Sequence, residues 1–496
     1  MKLLWGDIHN HCGITYGFGS LEGALKAAKT QLDFCMITGH AMWPDIYEKN
    51  EETEFVVNFH HVGFKKLFDH WEEVRQTVAE ANGEGLVTFQ GYEMHSCHYG
   101  DYHIVSPDDK LPLIYRDSPR KLEEDCGVEA IVIPHHIGYT PDYRGINWDE
   151  FDARISPVVE VCSKHGCAMS ETAPFPYYHD MGPRDSHNTI YEGLRRGYKF
   201  GFVGSTDHHA GFPGSYGDCM AAVLAEDKTR ESIFAAMKAR RTYAVTGDKI
   251  ACGFWVNDAP MGAEIQAGTA SRSIRYEVET EYPLDKIVLY KNLKPMHVLN
   301  GEQFQEINET GRYKIRVEMG WSSSEELFTW NGSFAVADGQ VADYHTYFVG
   351  RNVLAPSESA HYDVNDVNRI ENSIHRISER EVEWQCQTVK NISTIHGMTD
   401  HVVFEVEGSL KTRITITVNG REETHTIEEL LEYGYTHHMK PWHSHAYKVH
   451  RAVPETQYKF QMELQDEKKE QDCDFYHLEV FQKNGHCAFV SPVFVE

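Results

Sequence analysis

The sequence predicts an α/β region over residues 1–245 followed by an all-β, sandwich-like region over 246–496. Three observations carry that expectation. Residues 1–245 alternate short apolar runs with stretches whose apolar residues recur at helical spacing, the mark of strand-helix units around a mainly parallel sheet or barrel. After TGDKIACGF (246–254) the pattern becomes short alternating runs punctuated by Gly, Asn and Asp at turn positions. The length of 496 residues also exceeds what one hydrophobic core usually supports, which argues for two domains.

In chain order, strands are expected over 2–8, 33–38, 85–93, 102–105, 130–134, 157–162, 200–204 and 219–224. Helices fit SLEGALKAAKTQ (20–31), FKKLFDHWEEVRQTVAEA (64–81), NTIYEGLRRG (188–197) and TRESIFAAMKARR (229–241). In the second half SIRYEVET, KIVLYKN, YKIRVEMGW, HVVFEVEG, TRITITVNG, QYKFQMELQD and FYHLEVFQKNG read as antiparallel strands of a sandwich.

Charge narrows the function classes. A net charge of −28 repels phosphate backbones and anionic membranes, so neither nucleic acid nor a membrane is an expected partner. No secretory leader or membrane-length apolar run is visible. Eleven cysteines without a CxxC pair suit reduced thiols, so a cytoplasmic protein without structural disulfides is expected.

Histidine is the outlier, 30 in all, and its placement matters more than its number. In GDIHNH, Asp7, His9 and His11 alternate, which sends all three to one face of a strand. His40 follows the second expected strand, Glu93 ends the third, and His103 stands in GDYHIVS. His135 and His136 close IVIPHH, and Asp207, His208 and His209 close FVGSTDHH. These clusters fall at strand ends, the rim where barrel enzymes assemble their sites. Imidazoles suit Zn, Mn or Fe, and a carboxylate can bridge two cations, so a polynuclear centre of divalent ions is expected. His60, His61, His70, His179 and His187 are read as ordinary surface or hydrogen-bonded residues.

The ordered set DIHNH (7–11), TGH (38–40), GYE (91–93), PHH (134–136) and STDHH (205–209) resembles the PHP superfamily, named for polymerase and histidinol phosphatase. RRTYAVTGDKIACGFWVNDAPMGAEI (240–265) and FYHLEVFQKNGHCAFVSPVFVE (475–496) resemble an uncharacterised branch with an appended β-rich region. The resemblance implies a distorted (β/α)7 TIM-like barrel that binds two or three divalent metal ions and hydrolyses phosphate esters. It implies His9, His11, Glu93 and Asp207 as core ligands, with His40, His103, His135 and His209 as further ones. Either Cys162 or His165 in VVEVCSKHG would complete the set, and strand alternation with Glu160 favours Cys162. Asp7 would orient an imidazole.

The expected activity is metal-dependent hydrolysis of a small, anionic, phosphorylated substrate by water that the metals acidify. Glu93 would bridge the metals, while Asp207 or His209 would orient the nucleophile or shuttle its proton. Arg144, Lys164 and Arg184 are the candidates for binding phosphate. The alternatives are hydrolysis of a non-phosphate ester, lactone or amide, and a binding protein dominated by the β region. In the latter, Trp321, Trp330, Trp384, Trp442 and YGYTHHMKPWHSH (433–445) would grip sugars or a partner; otherwise these aromatics fill sandwich cores and the contacts of a homo-oligomer.

Overall fold

The computed structural model describes residues 1–175, 182–266, 271–301, 307–321, 327–350, 371–389, 399–440 and 445–496. The first half contributes eleven strands: β1 (Lys2–Asp7), β2 (Phe34–Met36), β3 (Gly39–Met42), β4 (Val87–Met94), β5 (Tyr102–Ser106), β6 (Ile131–Pro134), β7 (Val158–Ser163), β8 (Gly166–Cys167), β9 (Gly201–Gly204), β10 (Met220–Ala225) and β11 (Thr242–Val245). Its helices are α1 (Leu21–Lys29), α2 (Glu54–Ala81), α3 (Pro119–Asp125), α4 (Ile190–Arg195) and α5 (Arg230–Lys238).

Local chemistry explains these helices. The Ser20 side chain caps α1 by accepting from the Gly23 N–H, and Leu21, Ala24, Leu25 and Ala28 form its buried stripe. Thr189 and Thr229 cap α4 and α5 in the same way. Helix α2 begins ten residues before its expected start. The added turns, EFVVNFHHVG, contain β-branched residues and a glycine that weaken helix propensity, but Val57 and His60 are buried there, and packing prevails.

The expected closed barrel is not seen among the described residues. A mixed sheet of 13 strands runs in the order β11-β10-β1-β2-β4-β5-β6, with β3 added beside β4, while β7, β8 and β9 form a separate three-stranded sheet. Pairing is parallel across β1, β2 and β4, as βα units require, but antiparallel from β4 through β5 to β6. Only residues 95–101 separate β4 from β5, too few for the crossover that a parallel neighbour needs. Beyond the end of β1, Asn10 bridges in parallel to His208, just past β9, so the two sheets meet where the histidines lie.

The large sheet continues past residue 245. Strand β11 pairs with Cys487–Val495, which pairs with Asp474–Gln482, followed by the hairpin Leu284–Lys291 and Lys294–Asn300. All nine residues of Cys487–Val495 are buried.

The remaining strands build a four-stranded sheet and two sheets of six and five strands. The latter two share one core containing Trp330, Phe334, Trp384 and Phe404, with the Phe334 and Phe404 rings stacked at 4.0 Å. Alternate burial along Glu381–Thr388 and Arg413–Val418 is the sandwich pattern the sequence implied. Trp330 and Trp384 are therefore core residues, Trp321 is exposed, and Trp442 lies outside the described residues, as do 441–444 of the aromatic string. No described helix is long and apolar enough to cross a membrane.

Candidate metal centre

The backbone beyond β1 carries His9 and His11, and the parallel contact with the β9 end brings Asp207 against them. The Asp207 N–H donates to the His9 carbonyl (2.7 Å) and the His11 N–H to that of His208 (2.8 Å). Asp207 takes left-handed backbone (φ 50°), as does His136 (φ 55°). For non-glycine residues this conformation costs on the order of 1–3 kcal/mol and clusters at functional sites. It aims Asp207 into a closed group of side chains, with the His136 Nε2 3.5 Å from its Oδ2.

Two carboxylates organise the cluster. Glu93 Oε2 lies 3.3 Å from His40 Nε2, 3.4 Å from His11 Nε2 and 3.7 Å from His9 Nε2. Its Oε1 lies 3.0 Å from His135 Nε2 and 3.2 Å from His95 Nδ1. Asp207 Oδ1 lies 3.0 Å from His11 Nε2 and 3.5 Å from His9 Nε2, and its Oδ2 lies 3.1 Å from His165 Nε2. His209 turns its Nδ1 toward the Asp207 carbonyl, 2.9 Å away, and stacks on His11. His103 meets His135 with Nδ1 atoms 3.3 Å apart. All of these side chains are buried.

Electrostatics prepare the cluster for cations. Burial pulls the His11, His40, His103, His136 and His209 imidazoles below their ordinary pKa, leaving nitrogen lone pairs free. Burial acts the same way on His9, but Asp207 and Glu160 outweigh it and raise its pKa. Burial alone would also raise the Glu93 and Asp207 carboxyls. The surrounding histidines reverse this, holding both well below the usual carboxylate range.

The donor set fits metal. His9, His103 and His135 form one group whose ligand atoms lie within 4.8 Å of one another; His11, His40 and His209 form a second, and His9, His11 and Glu93 a third. The Nε2 atoms of His9, His11 and His103 and Oε2 of Glu93 are buried with no hydrogen-bond partner among the described residues. Buried polar atoms are rarely left so, and a cation would satisfy them together.

Of the expected ligands, His9, His11, His40, Glu93, His103, His135, Asp207 and His209 come together. Cys162 does not: it sits in an apolar cluster beside Cys167 and Cys219. Strand β7 carries a bulge between Glu160 and Cys162 relative to β9, so alternation slips by one residue and Cys162 turns away from the face that Glu160 occupies. His165, from the turn after β7, reaches Asp207 instead.

Asp7 also departs from expectation. Its carboxylate accepts from the backbone N–H groups of His9, Thr206 and Gly214 and from the Thr206 hydroxyl, so it fastens chain rather than an imidazole. Glu160 is the group that orients an imidazole, its Oε2 2.9 Å from His9 Nδ1, with the Ser205 hydroxyl donating to the same oxygen. The signal for Glu160 was present: a lone carboxylate inside the apolar run VVEVC.

Sequence reasoning passed over His95 and Asp101, although each stands two residues from a chosen ligand, and over His136, the second histidine of PHH. Tyr16 was not chosen either; its ring stacks on His40 at 3.6 Å.

The expected phosphate-binding residues diverge. Arg144 is buried, with its Nε 3.0 Å from Asp101 Oδ2, one amino group 3.1 Å from His95 Nδ1, and its guanidinium over Trp43. Lys164 is buried in the turn after β7, its backbone N–H donating to Thr206. Arg184 is half-buried and pairs through its backbone with Tyr139. Of the histidines set aside, His60 is buried with Nδ1 on the Val56 carbonyl, His70 pairs with Glu73 at the surface, His61 and His187 are exposed, and His179 lies outside the described residues.

Comparison with known proteins adds context. Residues 214–275 match a family model described as "Protein of unknown function (DUF3604)". An uncharacterized protein of Chlamydia pneumoniae is 25% identical over 256 residues, covering 46% of this chain and 40% of that one. Uncharacterized proteins of Chlamydia trachomatis and Chlamydia muridarum are 30% and 32% identical over 284 residues, covering 53% of this chain and 42% of theirs. The matched stretch thus spans about two fifths of each relative's length.

Among solved structures, a two-domain protein of Bacteroides vulgatus containing a predicted PHP-like metal-dependent phosphoesterase is 17% identical with a TM-score of 0.34, covering 60% of this chain and 85% of that one. The lesion-specific endonuclease EndoQ of Pyrococcus furiosus is 12% identical with a TM-score of 0.30, covering 48% and 56%.

Proposed function

We propose that the chain is a metal-dependent hydrolase of PHP type, acting on a small phosphorylated substrate. The observation that carries this reading is the convergence of Glu93 and Asp207 with orphaned imidazole nitrogens in a buried cluster. His9, His11, His40, His103, His135, His165 and His209 would hold two or three divalent ions with those carboxylates. Bound there, the ions would supply Lewis acidity and a more acidic water. Glu93 spans the His40/His11 side and the His135/His95 side through its two oxygens, the placement a bridging carboxylate needs. Asp207, facing His11 and His165, or His209, stacked on His11, would orient a nucleophilic water or shuttle its proton. Arg144 sets a fixed positive charge beside His95, the complement of an anionic substrate. We assign the site to residues 1–245 and a buttressing role to 246–496.

The test is elemental analysis of the purified chain, with turnover measured against phosphate monoesters, diesters and non-phosphate esters. Glu93→Gln keeps volume but removes charge, so it should lose at least one metal per folded chain and most turnover. Glu48→Gln, on the exposed run YEKNEETE, should lose neither. Full metal occupancy with normal turnover in Glu93→Gln would overturn the assignment, and turnover of an ester or amide with no phosphate release would replace the substrate class.

A further inference from the structure

A second polar site lies apart from the metal centre. The chain after His209 runs as a strap: Gly211 N–H donates to the His11 carbonyl, Gly214 N–H to Asp7, and Tyr216 then reaches a cavity of about 520 Å³ walled mainly by the β-rich half, with Pro174 and Phe175 completing it from the first half. That volume falls within the ~300–1,000 Å³ typical of small-molecule sites. The cavity shares no lining residue with the metal cluster.

Its walls are built around Asp248, which is fully buried. One carboxylate oxygen accepts from the Tyr216 hydroxyl (2.9 Å) and the other from Arg316 (2.7 Å), Gln482 (2.7 Å) and Asn484 (2.8 Å). Three of those donors, Tyr216, Arg316 and Asn484, line the cavity, so one carboxylate fixes groups from the strap, the Thr310–Gly320 strand and the turn before Cys487. Arg316 is 4% exposed, and its Nε has no hydrogen-bond partner among the described residues.

Glu318 follows two residues later on the same strand face. It pairs with His450 (2.6 Å) and accepts from Thr399 (2.9 Å), whose hydroxyl also meets His401 (3.0 Å). Burial draws His401 down to about 3, leaving a neutral imidazole whose nitrogens face Thr399 and Arg316 and whose ring face is turned to Tyr216. The rings of Tyr216, His401 and His486 pack together at 4.7–5.0 Å and give the wall apolar faces.

This inventory selects a ligand class. An anion would meet the Glu318 carboxylate, and a metal ion at Glu318, His401 and His450 would meet the Arg316 guanidinium, 3.5 Å from His401 Nδ1. Interleaved donors and acceptors beside ring faces suit hydroxyl groups, which both donate and accept, on a carbon ring whose C–H face packs against aromatics. We propose that this cavity binds an uncharged polyhydroxylated ring, a monosaccharide or cyclitol, at a site separate from the metal centre.

Saturation-transfer NMR on the full chain with D-glucose, D-galactose, D-mannose and myo-inositol tests this, with L-glutamate, betaine and inorganic phosphate as charged comparators. At least one polyol should show transfer. Its affinity should fall about tenfold in Glu318→Gln and in Asn484→Ala, the loss of one hydrogen bond of the charge-assisted kind or its neutral equivalent in a tight pocket, and should persist in Glu93→Gln. Each substitution also removes a hydrogen bond within the wall, Asn484 to Asp248 among them, so melting curves run beside the binding measurements separate lost affinity from lost fold. Transfer from no polyol, transfer from the charged comparators only, or binding lost in Glu93→Gln but retained in both cavity variants would overturn the proposal. The last result would place the ligand at the metal centre and leave the hydrolase reading standing.

Discussion

Glu160 decides which nitrogen of His9 faces the cluster: by holding Nδ1, it leaves Nε2 to point at Glu93 and Asp207. Partners of this kind raise ligand basicity, and their loss typically costs ~10–100-fold in metal affinity or activity. Glu160→Ala should therefore weaken metal binding by about that factor, measured by competition with a chelator, while the fold persists. Asp7→Asn should act differently, because Asp7 gathers four donors and an amide would turn its NH2 toward some of them. Its effect should appear as a lower melting temperature, by the equivalent of ~1–3 kcal/mol, in metal-free protein too. The residue types of the centre were legible in the sequence because most stand at or just past the end of an apolar run in a short polar motif, His103, near the start of its strand, being the exception. The division of labour between Asp7, at the end of β1, and Glu160, inside β7, was not, since only tertiary packing decides which carboxylate meets an imidazole.

The bulge in β7 is a single extra residue, yet it reverses the choice between Cys162 and His165. Alternation is a sound guide to which face a side chain takes until a bulge intervenes, and bulges leave no compositional trace in VVEVCS. His165→Ala should lower metal content per chain, whereas Cys162→Ala should leave it at the wild-type value; elemental analysis of both separates them. A second strand carries its own test. Asp400, at the head of Asp400–Ser409, is fully buried, and burial pushes its carboxyl up to about 7 against the hydrogen bond it accepts from the Val349 N–H. Because the folded value lies above the unfolded one, the native state binds the proton more tightly. The resulting stabilisation is complete below about pH 4 and lost as pH rises through about 7, worth ~4 kcal/mol at most. Asp400→Asn should melt above the wild type at pH 8 and lose that advantage below pH 4, followed by calorimetry across the pH range. Helices α1, α4 and α5 and most of α2 were legible from periodicity, as were the sandwich strands Thr310–Gly320, Asp400–Ser409 and Arg413–Val418; α3 was not. Of the other runs read as sandwich strands, KIVLYKN and FYHLEVFQKNG lie in the large sheet and SIRYEVET and QYKFQMELQD in the four-stranded one, because alternation marks a strand without saying which sheet it joins. The antiparallel course of β4 to β6 was legible only in the shortness of the connection after Met94.

Across the whole molecule, the change of pattern near residue 246 is real in the sequence, but the 13-stranded sheet runs through it. Composition marks where strand-helix units give way to hairpins. It carries no record that Cys487–Val495 returns to lie beside β11, because pairing partners far apart in the chain leave only apolar strands behind. Residues 1–245 expressed alone would present β11 as an open edge, stripped of the strand that covers it. That fragment should aggregate or melt without a cooperative transition in calorimetry, where the full chain gives one. The same arrangement sets a timetable during synthesis. At ~5–20 residues per second, the ribosome adds the 242 residues from 245 to 487 in roughly ten to fifty seconds, and until then β11 waits without its neighbour. The half that carries the histidine cluster is made first and finished last, so the nascent chain must be shielded through that interval, and a stalled or prematurely terminated message yields an edge ready to pair with another chain.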